Sequence, residues 1–139
     1  MAIFLRSQKG AAAVEFSLVL PIFIVLVFGI IEFSLMLYDK AVITNASREA
    51  ARAGIVLKSP KMSVDEIKAV ALNYCENYLI TLGGATSPVV SVPSGAGGAF
   101  GSSLTVSISY NYSGLVLGKF ISSLSGPISL AATTVMKNE

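Results

Sequence analysis

A run of uncharged, mostly apolar residues between two acids, Glu15 and Glu32, is the feature that most constrains the fold of this chain. Every residue between the two acids is uncharged, and Phe33–Leu37 extends the run beyond the second one. A helix needs roughly 20 mainly apolar residues to cross the hydrocarbon core of a bilayer. The sequence therefore predicts a transmembrane helix over residues 11–40.

A cleaved secretory signal peptide is the alternative interpretation of this run. Signal peptides have an apolar region of roughly 7–15 residues that ends at a small-residue cleavage site. The run here is longer, no A-x-A pattern follows it, and the small residues Gly10–Ala13 precede it. The pattern therefore favours a helix that stays in the mature protein.

The composition excludes several classes of function. Charged residues are 13 % of the chain and the mean hydropathy is +0.72, which favours a membrane protein over a cytosolic enzyme. Beyond Gly10 the basic and acidic residues balance, so we expect no nucleic-acid partner. The chain has no histidine and a single cysteine, Cys75, and we expect no catalytic site, no metal and no cofactor.

The charges that flank the apolar run predict its orientation. Arg6 and Lys9 precede it, whereas Asp39 and Lys40 balance each other on the far side. Lys and Arg favour the cytoplasmic side of a membrane helix, so the N-terminus is predicted to be cytoplasmic and residues 41–139 extracytoplasmic. A free thiol is unusual there; Cys75 lies on an apolar stripe, which favours burial over pairing between subunits.

The residues around Gly10 resemble a prepilin-type leader. In such leaders a membrane peptidase cuts after the glycine, and the acid five residues beyond the cut stays in the mature helix; here these would be Gly10, Ala11 and Glu15, with residues 1–10 as the leader. The longer N-terminal pattern resembles the TadE-like family, pseudopilins of tight-adherence (Flp-type) pilus systems. The resemblance includes Pro21, Gly29–Phe33, Tyr38, Asn45–Arg52 and, more weakly, Ile128–Lys137.

The resemblance implies a structural subunit of a pilus assembly system that acts in filament initiation, assembly or adhesion. Its partners would be a prepilin-type peptidase, other pilin or pseudopilin subunits, the assembly machinery and the lipid bilayer. It would lie in the bacterial inner membrane as a single-pass protein, or in a surface filament. The alternative is a single-pass anchor whose outer domain binds a protein partner without entering a filament. A mature chain that starts at Ala11 separates the two.

Glu15 is the acid that needs explaining, because a carboxylate deep in a bilayer is costly. Cleavage after Gly10 would free an α-amino group on Ala11, which is largely protonated near neutral pH. In an assembled filament the amine of a neighbour would neutralise Glu15 and fix the axial register. The other interpretation is an acid at headgroup level.

Three further positions are predicted packing or kink sites of the membrane helix: Pro21, Gly29 and Glu32. Pro21 removes the amide donor to the carbonyl of Ser17 and should bend the helix, with the Ser17 hydroxyl as the expected compensation. Glu32 is expected to extend towards the membrane interface.

The long helix is predicted to continue to Leu57 and to form the spine of the outer domain. On this part Asn45, Arg48, Glu49 and Arg52 fall at helical spacing on one stripe. The stripe is either a solvated face or, at Arg48, Glu49 and Arg52, a subunit interface.

The remaining chain predicts an α+β domain: a second helix and a small antiparallel sheet of about three strands packed on the spine, a pilin-like lollipop. A capping box at Ser63–Glu66 starts the second helix, which is expected to reach Leu82 and end at Gly83-Gly84. The predicted buried stripe is Ile67, Val70, Ala71, Tyr74, Cys75, Tyr78 and Leu82. The predicted segments that follow are a strand at Ser87–Val92, a mobile loop at residues 94–101, a strand at Leu104–Tyr112, a short helical connection at Leu115–Leu124 and a strand at Pro127–Lys137.

Overall fold

The computed structural model describes residues 8–81, 87–114, 118–119, 122–123 and 126–139. It contains two helices followed by a three-stranded antiparallel sheet, which confirms the predicted α+β class. The elements are α1 (Gln8–Ile55), α2 (Val64–Tyr78), β1 (Val89–Ser94), β2 (Ser103–Tyr112) and β3 (Ile128–Lys137).

The helix α1 has 48 residues and continues through Pro21 without interruption. At 1.5 Å per residue it is about 72 Å long, more than twice the thickness of a bilayer core. The hydroxyl of Ser17 donates to the carbonyl oxygen of Val14 at 2.8 Å. It therefore does not compensate the missing Pro21 amide as expected, because it is already used one turn earlier; the bend at Pro21 stays a prediction.

The helix α2 begins at the predicted capping box. Ser63 has an extended backbone, its hydroxyl accepts from the Glu66 amide at 3.3 Å, and its own amide donates to Glu66 Oε2 at 2.7 Å. These bonds satisfy amides that have no partner inside the helix, and they also lower the pKa of the Glu66 carboxyl.

The predicted end of α2 at Leu82 is wrong, because the helix stops at Tyr78 and Leu79 is extended. The amide of Ile80 donates to Asp39 Oδ1 of α1 at 3.1 Å, an acceptor from another element that replaces a helical carbonyl. A tertiary bond thus ends the helix before the glycines of Gly83-Gly84, which lie outside the described residues.

The sheet has the order β1-β2-β3, with β2 in the centre. β2 pairs with β3 along its whole length, from Ser103 opposite Lys137 to Tyr112 opposite Ile128. The even-numbered residues of β2 are buried, while the odd-numbered ones lie on the outer face, which confirms the predicted alternation. The connection predicted at Leu115–Leu124 falls mostly outside the described residues.

The core lies between α1, α2 and the inner face of the sheet. Small residues on α1 let the other elements approach closely: a Cβ at Gly54 would come within 2.6 Å of Leu104 Cδ2 and 2.8 Å of Ile67 Cδ1. Tyr78 is 54 % exposed, so its predicted burial is wrong; its ring contacts that of Tyr74 at a tilt of 43°. The core side chains are Ile43, Ala46, Ala50, Ala51, Ile67, Ala71, Cys75, Leu104, Val106, Ile108, Tyr110, Tyr112 and Ala132.

We call residues 10–31 the stem and the described part of residues 32–139 the head. Both α2 and β2 run opposite to α1 in the head. At one end, the top, the Glu139 amide donates to the carbonyl of Ile55 at 3.1 Å. At the other end, the base, Tyr112 reaches the carbonyl of Glu32. The stem therefore projects from the base.

Candidate functional site: the stem and the two ends of the head

The stem exposes large apolar side chains in every direction around the helix. Their exposed fractions range from 37 % to 70 %. The helix is long and apolar enough to cross a membrane, and its most apolar window is not buried within the protein. A surface of this kind requires a bilayer or apolar partners, because soluble proteins rarely expose large contiguous apolar patches. The residues are Val14, Phe16, Leu18, Val19, Leu20, Ile22, Phe23, Ile24, Val25, Leu26, Phe28, Ile30 and Ile31.

The predicted processing residues lie together at the N-terminal end of the stem. Gly10, Ala11 and Glu15 are all exposed on α1. A Cβ at Gly10 would have nothing within 4 Å, so the fold of this chain does not require a glycine there. A requirement for glycine at this position would therefore have to come from outside the chain, for example from a peptidase.

Glu32 does not extend outward as expected. Only 7 % of it is exposed, and its Oε1 accepts from the Gly118 amide at 2.6 Å. The hydroxyl of Tyr112 donates to the Glu32 backbone carbonyl at 3.3 Å. The prediction failed because it considered α1 alone, whereas the head supplies the Gly118 amide as a donor to this buried carboxylate.

An apolar pocket of about 230 Å³ lies beside Glu32 at the base of the head. Gly29, one of the predicted packing positions, lines it, so the pocket extends from the last turn of the stem into the head. The lining residues are Gly29, Glu32, Phe33, Met36, Tyr112, Gly118 and Ile128. The pocket can hold an apolar group of about the size of an aromatic ring, since a cavity of roughly 150 Å³ accommodates benzene.

A second buried acid, Asp39, lies two turns beyond Glu32 on the same face of α1. It is fully buried, and neither its Oδ2 nor the hydroxyl of Tyr110 has a hydrogen-bond partner among the described residues. Burial and the charge of Asp39 raise the pKa of Tyr110, which therefore keeps its proton. Asp39 follows Glu32 by seven residues, a spacing that puts both acids on the same face of a helix. The sequence could therefore have predicted that they share a face.

The polar stripe of α1 lies on the surface of the head. Arg48, Glu49 and Arg52 are exposed, and Arg48 Nη1 donates weakly to Asn45 Oδ1 at 3.5 Å. A role for these three residues as a subunit interface stays a prediction.

The loop at the top of the head, residues 95–102, overlaps the segment 94–101 that was predicted to be mobile, and hydrogen bonds tie it to Asn138. Asn138 is buried; its side chain donates to the Gly95 carbonyl at 2.9 Å and to the Ser102 hydroxyl at 2.8 Å, while its carbonyl accepts from the Gly101 amide. Phe100 lies on this loop and is 87 % exposed.

Cys75 is buried in the core, as predicted. Burial raises the pKa of its thiol to about 11, so at neutral pH it behaves as a small apolar side chain. In the part of the chain that the structure describes, no group of three His, Cys, Asp or Glu residues could hold a metal ion.

Comparison with known proteins gives a match to a family model. No curated protein and no solved structure matches the chain. The family model that matches is that of a pilus-associated family and covers the stem and most of the head part of α1. Residues 10–52 match the family described as TadE-like protein, which confirms the resemblance that the N-terminal sequence indicated.

Proposed function

We propose that the protein is a structural pseudopilin of a tight-adherence type pilus system. A peptidase cuts the chain after Gly10. The mature protein lies in the inner membrane with its N-terminus cytoplasmic, and it associates with other subunits through its stem. The match of residues 10–52 to a pilus-associated family supports this role.

The observation that carries the proposal is the exposure of the stem on all sides. A helix packed against its own domain has one buried face, as α1 has from Glu32 onward. Among the described residues the stem has no such face below Val27, so we infer a partner outside the chain. In a bilayer this partner is lipid, and in a filament it is the stems of neighbouring subunits.

The position of the head sets the depth of the stem in the membrane. Residues 14–31 are about 27 Å long at 1.5 Å per residue, close to the roughly 30 Å of a hydrocarbon core. The head begins to cover one face of α1 at Glu32, while Phe33, Leu37 and Tyr38 on the other face stay exposed. We therefore place the outer boundary of the membrane near Glu32, earlier than the sequence estimate of residue 40.

Glu15 then lies at the cytoplasmic boundary, where a carboxylate is tolerated in the single subunit. Within a bundle of stems it needs a positive partner. The amine of Ala11 on a neighbouring subunit supplies one after cleavage, and mismatched registers leave the charge unpaired.

The alternative is a membrane anchor whose head binds a protein partner without entering a filament. Phe100 favours this alternative, because exposed aromatic residues are frequent anchors of protein interfaces.

The test of processing is the intact mass of the protein extracted from membranes. We expect a chain that starts at Ala11, and a longer chain for Gly10→Phe. The control Lys9→Arg keeps the leader charge and should be processed normally. Normal processing of Gly10→Phe would refute the cleavage site.

The test of assembly compares two acids. Glu15→Ala should insert into the membrane but lose at least tenfold of its content in sheared surface filaments. Glu49→Ala removes an exposed acid of the head and should assemble normally. Equal assembly of both variants would refute the role of Glu15.

A further inference from the structure

We propose that Phe33, Leu37 and Tyr38, which we call the uncovered patch, contact the acyl chains of the bilayer, so that α1 crosses the membrane at about 30–40° to the membrane normal. This tilt rests on the proposed function, because it takes the stem to lie in a membrane. It adds the direction in which the head leans, with the uncovered patch towards the bilayer. All copies then share one depth, as the pairing of Glu15 with Ala11 of a neighbour requires.

The uncovered patch continues the exposed surface of the stem into the head. Phe33, Leu37 and Tyr38 are 58 %, 52 % and 43 % exposed, values within the range of the stem side chains. On the other side of this part of α1, Glu32 and Asp39 are buried under the head. Lipid is the partner that this continuity favours, because the same side of the helix meets acyl chains one turn earlier.

The polar groups next to the uncovered patch turn away from it. Asp39 is fully buried in the head, and Lys40 Nζ donates to the carbonyl of Ala131 on β3. The hydroxyl of Ser34 donates to the carbonyl of Ile30 at 2.7 Å, so this exposed group is satisfied inside the helix. A hydrocarbon environment tolerates this part of α1, since the head holds its charges and the helix bonds its hydroxyl.

The length of the apolar surface on the uncovered side of α1 requires a tilt. Residues 16–38 are about 34 Å long at 1.5 Å per residue, whereas a hydrocarbon core is about 30 Å thick. An apolar helix that is too long for the core tilts, and a tilt of about 30° reduces 34 Å to 30 Å along the membrane normal. Tyr38 then lies at the outer interface, where tyrosine is enriched because its hydroxyl reaches water.

The two sides of the helix give a second estimate of the angle. On its covered side α1 leaves the membrane near Glu32, and on its uncovered side near Tyr38, about 9 Å further along the axis. A flat membrane surface through both points of a helix about 10–12 Å wide corresponds to a tilt of about 40°. Tilts of up to about 40° occur in transmembrane helices, so both angles are accessible. The helix leans towards its uncovered side and raises the sheet away from the bilayer.

Single tryptophans test the tilt, because the chain contains no tryptophan. The full-length protein is reconstituted at high dilution into vesicles of phosphatidylcholine with brominated acyl chains, which quench tryptophan on contact. We expect Leu37→Trp to lose at least half of its emission relative to unbrominated vesicles. Ala131→Trp is the matched control, because Lys40 holds Ala131 near the level of the uncovered patch while Ala131 is exposed on the outer face of the sheet. Its emission should stay nearly unchanged.

A third variant, Phe23→Trp in the middle of the stem, reports on insertion itself. Quenching of Phe23→Trp without quenching of Leu37→Trp would overturn the tilt and leave the proposed function standing. The absence of quenching in Phe23→Trp would overturn both. Blue-shifted emission of Leu37→Trp that brominated lipid does not quench would show that a second copy or another protein covers the patch, against this inference. Equal quenching of Leu37→Trp and Ala131→Trp would show a deeper, upright protein and would also overturn the tilt.

Discussion

The two halves of α1 belong to one uninterrupted helix and yet have opposite relations to their surroundings. From Gly10 to Ile31 the residues are exposed, except for Val27 and Gly29 near the head, which are partly buried. From Glu32 to Ile55 one face is buried under α2 and the sheet, while the other carries the polar stripe. The same secondary structure therefore has an external partner in one half and an internal partner in the other.

The difference follows from the sequence of each half. The stem is apolar at every angle around its axis, so no rotation of the helix gives it a preferred inner face. The head half places Ile43, Ala46 and Ala50 on one stripe, and the small residues let α2 and β2 approach the backbone. Matched replacements of a large side chain by alanine in the two halves of α1 can test this contrast.

The largest expected effect is the loss of a core side chain. Ile43→Ala should lower the free energy of unfolding of the head by about 2–5 kcal/mol, because Ile43 is fully buried. Ile30→Ala makes the same change in the stem, where the side chain is 60 % exposed, and should leave the unfolding of the head nearly unchanged. Urea unfolding in detergent measures both. Equal losses would contradict the division of α1 into two halves.

Cys75 should make the head less stable in alkali. Folding raises the pKa of its thiol from 9.0 to about 11, so the folded state favours the protonated form. Its contribution is fully present below pH 9 and is lost as the pH rises through about 11, a loss of about 2–3 kcal/mol. Unfolding between pH 8 and 11 should show this extra loss in the parent protein and not in Cys75→Ala. Parallel curves for the two proteins would mean that the thiol is not buried in solution.

The two acids that bound the apolar run should respond differently to removal. Glu32→Ala leaves the Gly118 amide without its carboxylate acceptor and should cost the head about 1–3 kcal/mol. Glu15→Ala should leave the stability of the head unchanged, because Glu15 lies in the exposed stem. Thermal unfolding in detergent, followed by near-UV circular dichroism, measures the pair. A stable Glu32→Ala variant would show that the base of the head does not depend on this carboxylate.

The smallest expected effect concerns two serine hydroxyls. Ser63→Ala removes the N-cap of α2 and should cost about 1 kcal/mol. Ser17→Ala removes a hydroxyl that bonds only a carbonyl of its own helix, and its effect on the head should be close to zero. A drop in the melting temperature for Ser63→Ala alone is the expected result, and equal melting temperatures would argue against the cap.

Most of the fold could be predicted from local patterns. The apolar run, the capping box at Ser63 and the alternation in β2 each depend on residues close in sequence, so they identify the elements without knowledge of the tertiary contacts. The end of α2 could not be predicted in this way, because the acceptor of the Ile80 amide is Asp39, about forty positions earlier in the chain.

The candidate site was predictable to a smaller extent. Gly10 and Glu15 belong to a short motif and could be named as candidates without the structure; their role stays a prediction. The burial of Glu32 depends on Gly118 and Tyr112, which are distant in sequence, and the sequence carries no local sign of them. The tethering of the Phe100 loop was missed for the same reason, since its anchor is Asn138 at the C-terminal end.

Because α1 passes through the base of the head as one continuous helix, the stem and the head are expected to tilt together. Transmembrane helices commonly tilt by about 20°. If the stem tilts by this angle with the base as pivot, the top of the head, about 35 Å away along α1, sweeps sideways by about 12 Å. Because α1 is continuous from the stem to Ile55, a small change of tilt in the membrane would produce a large displacement of Phe100.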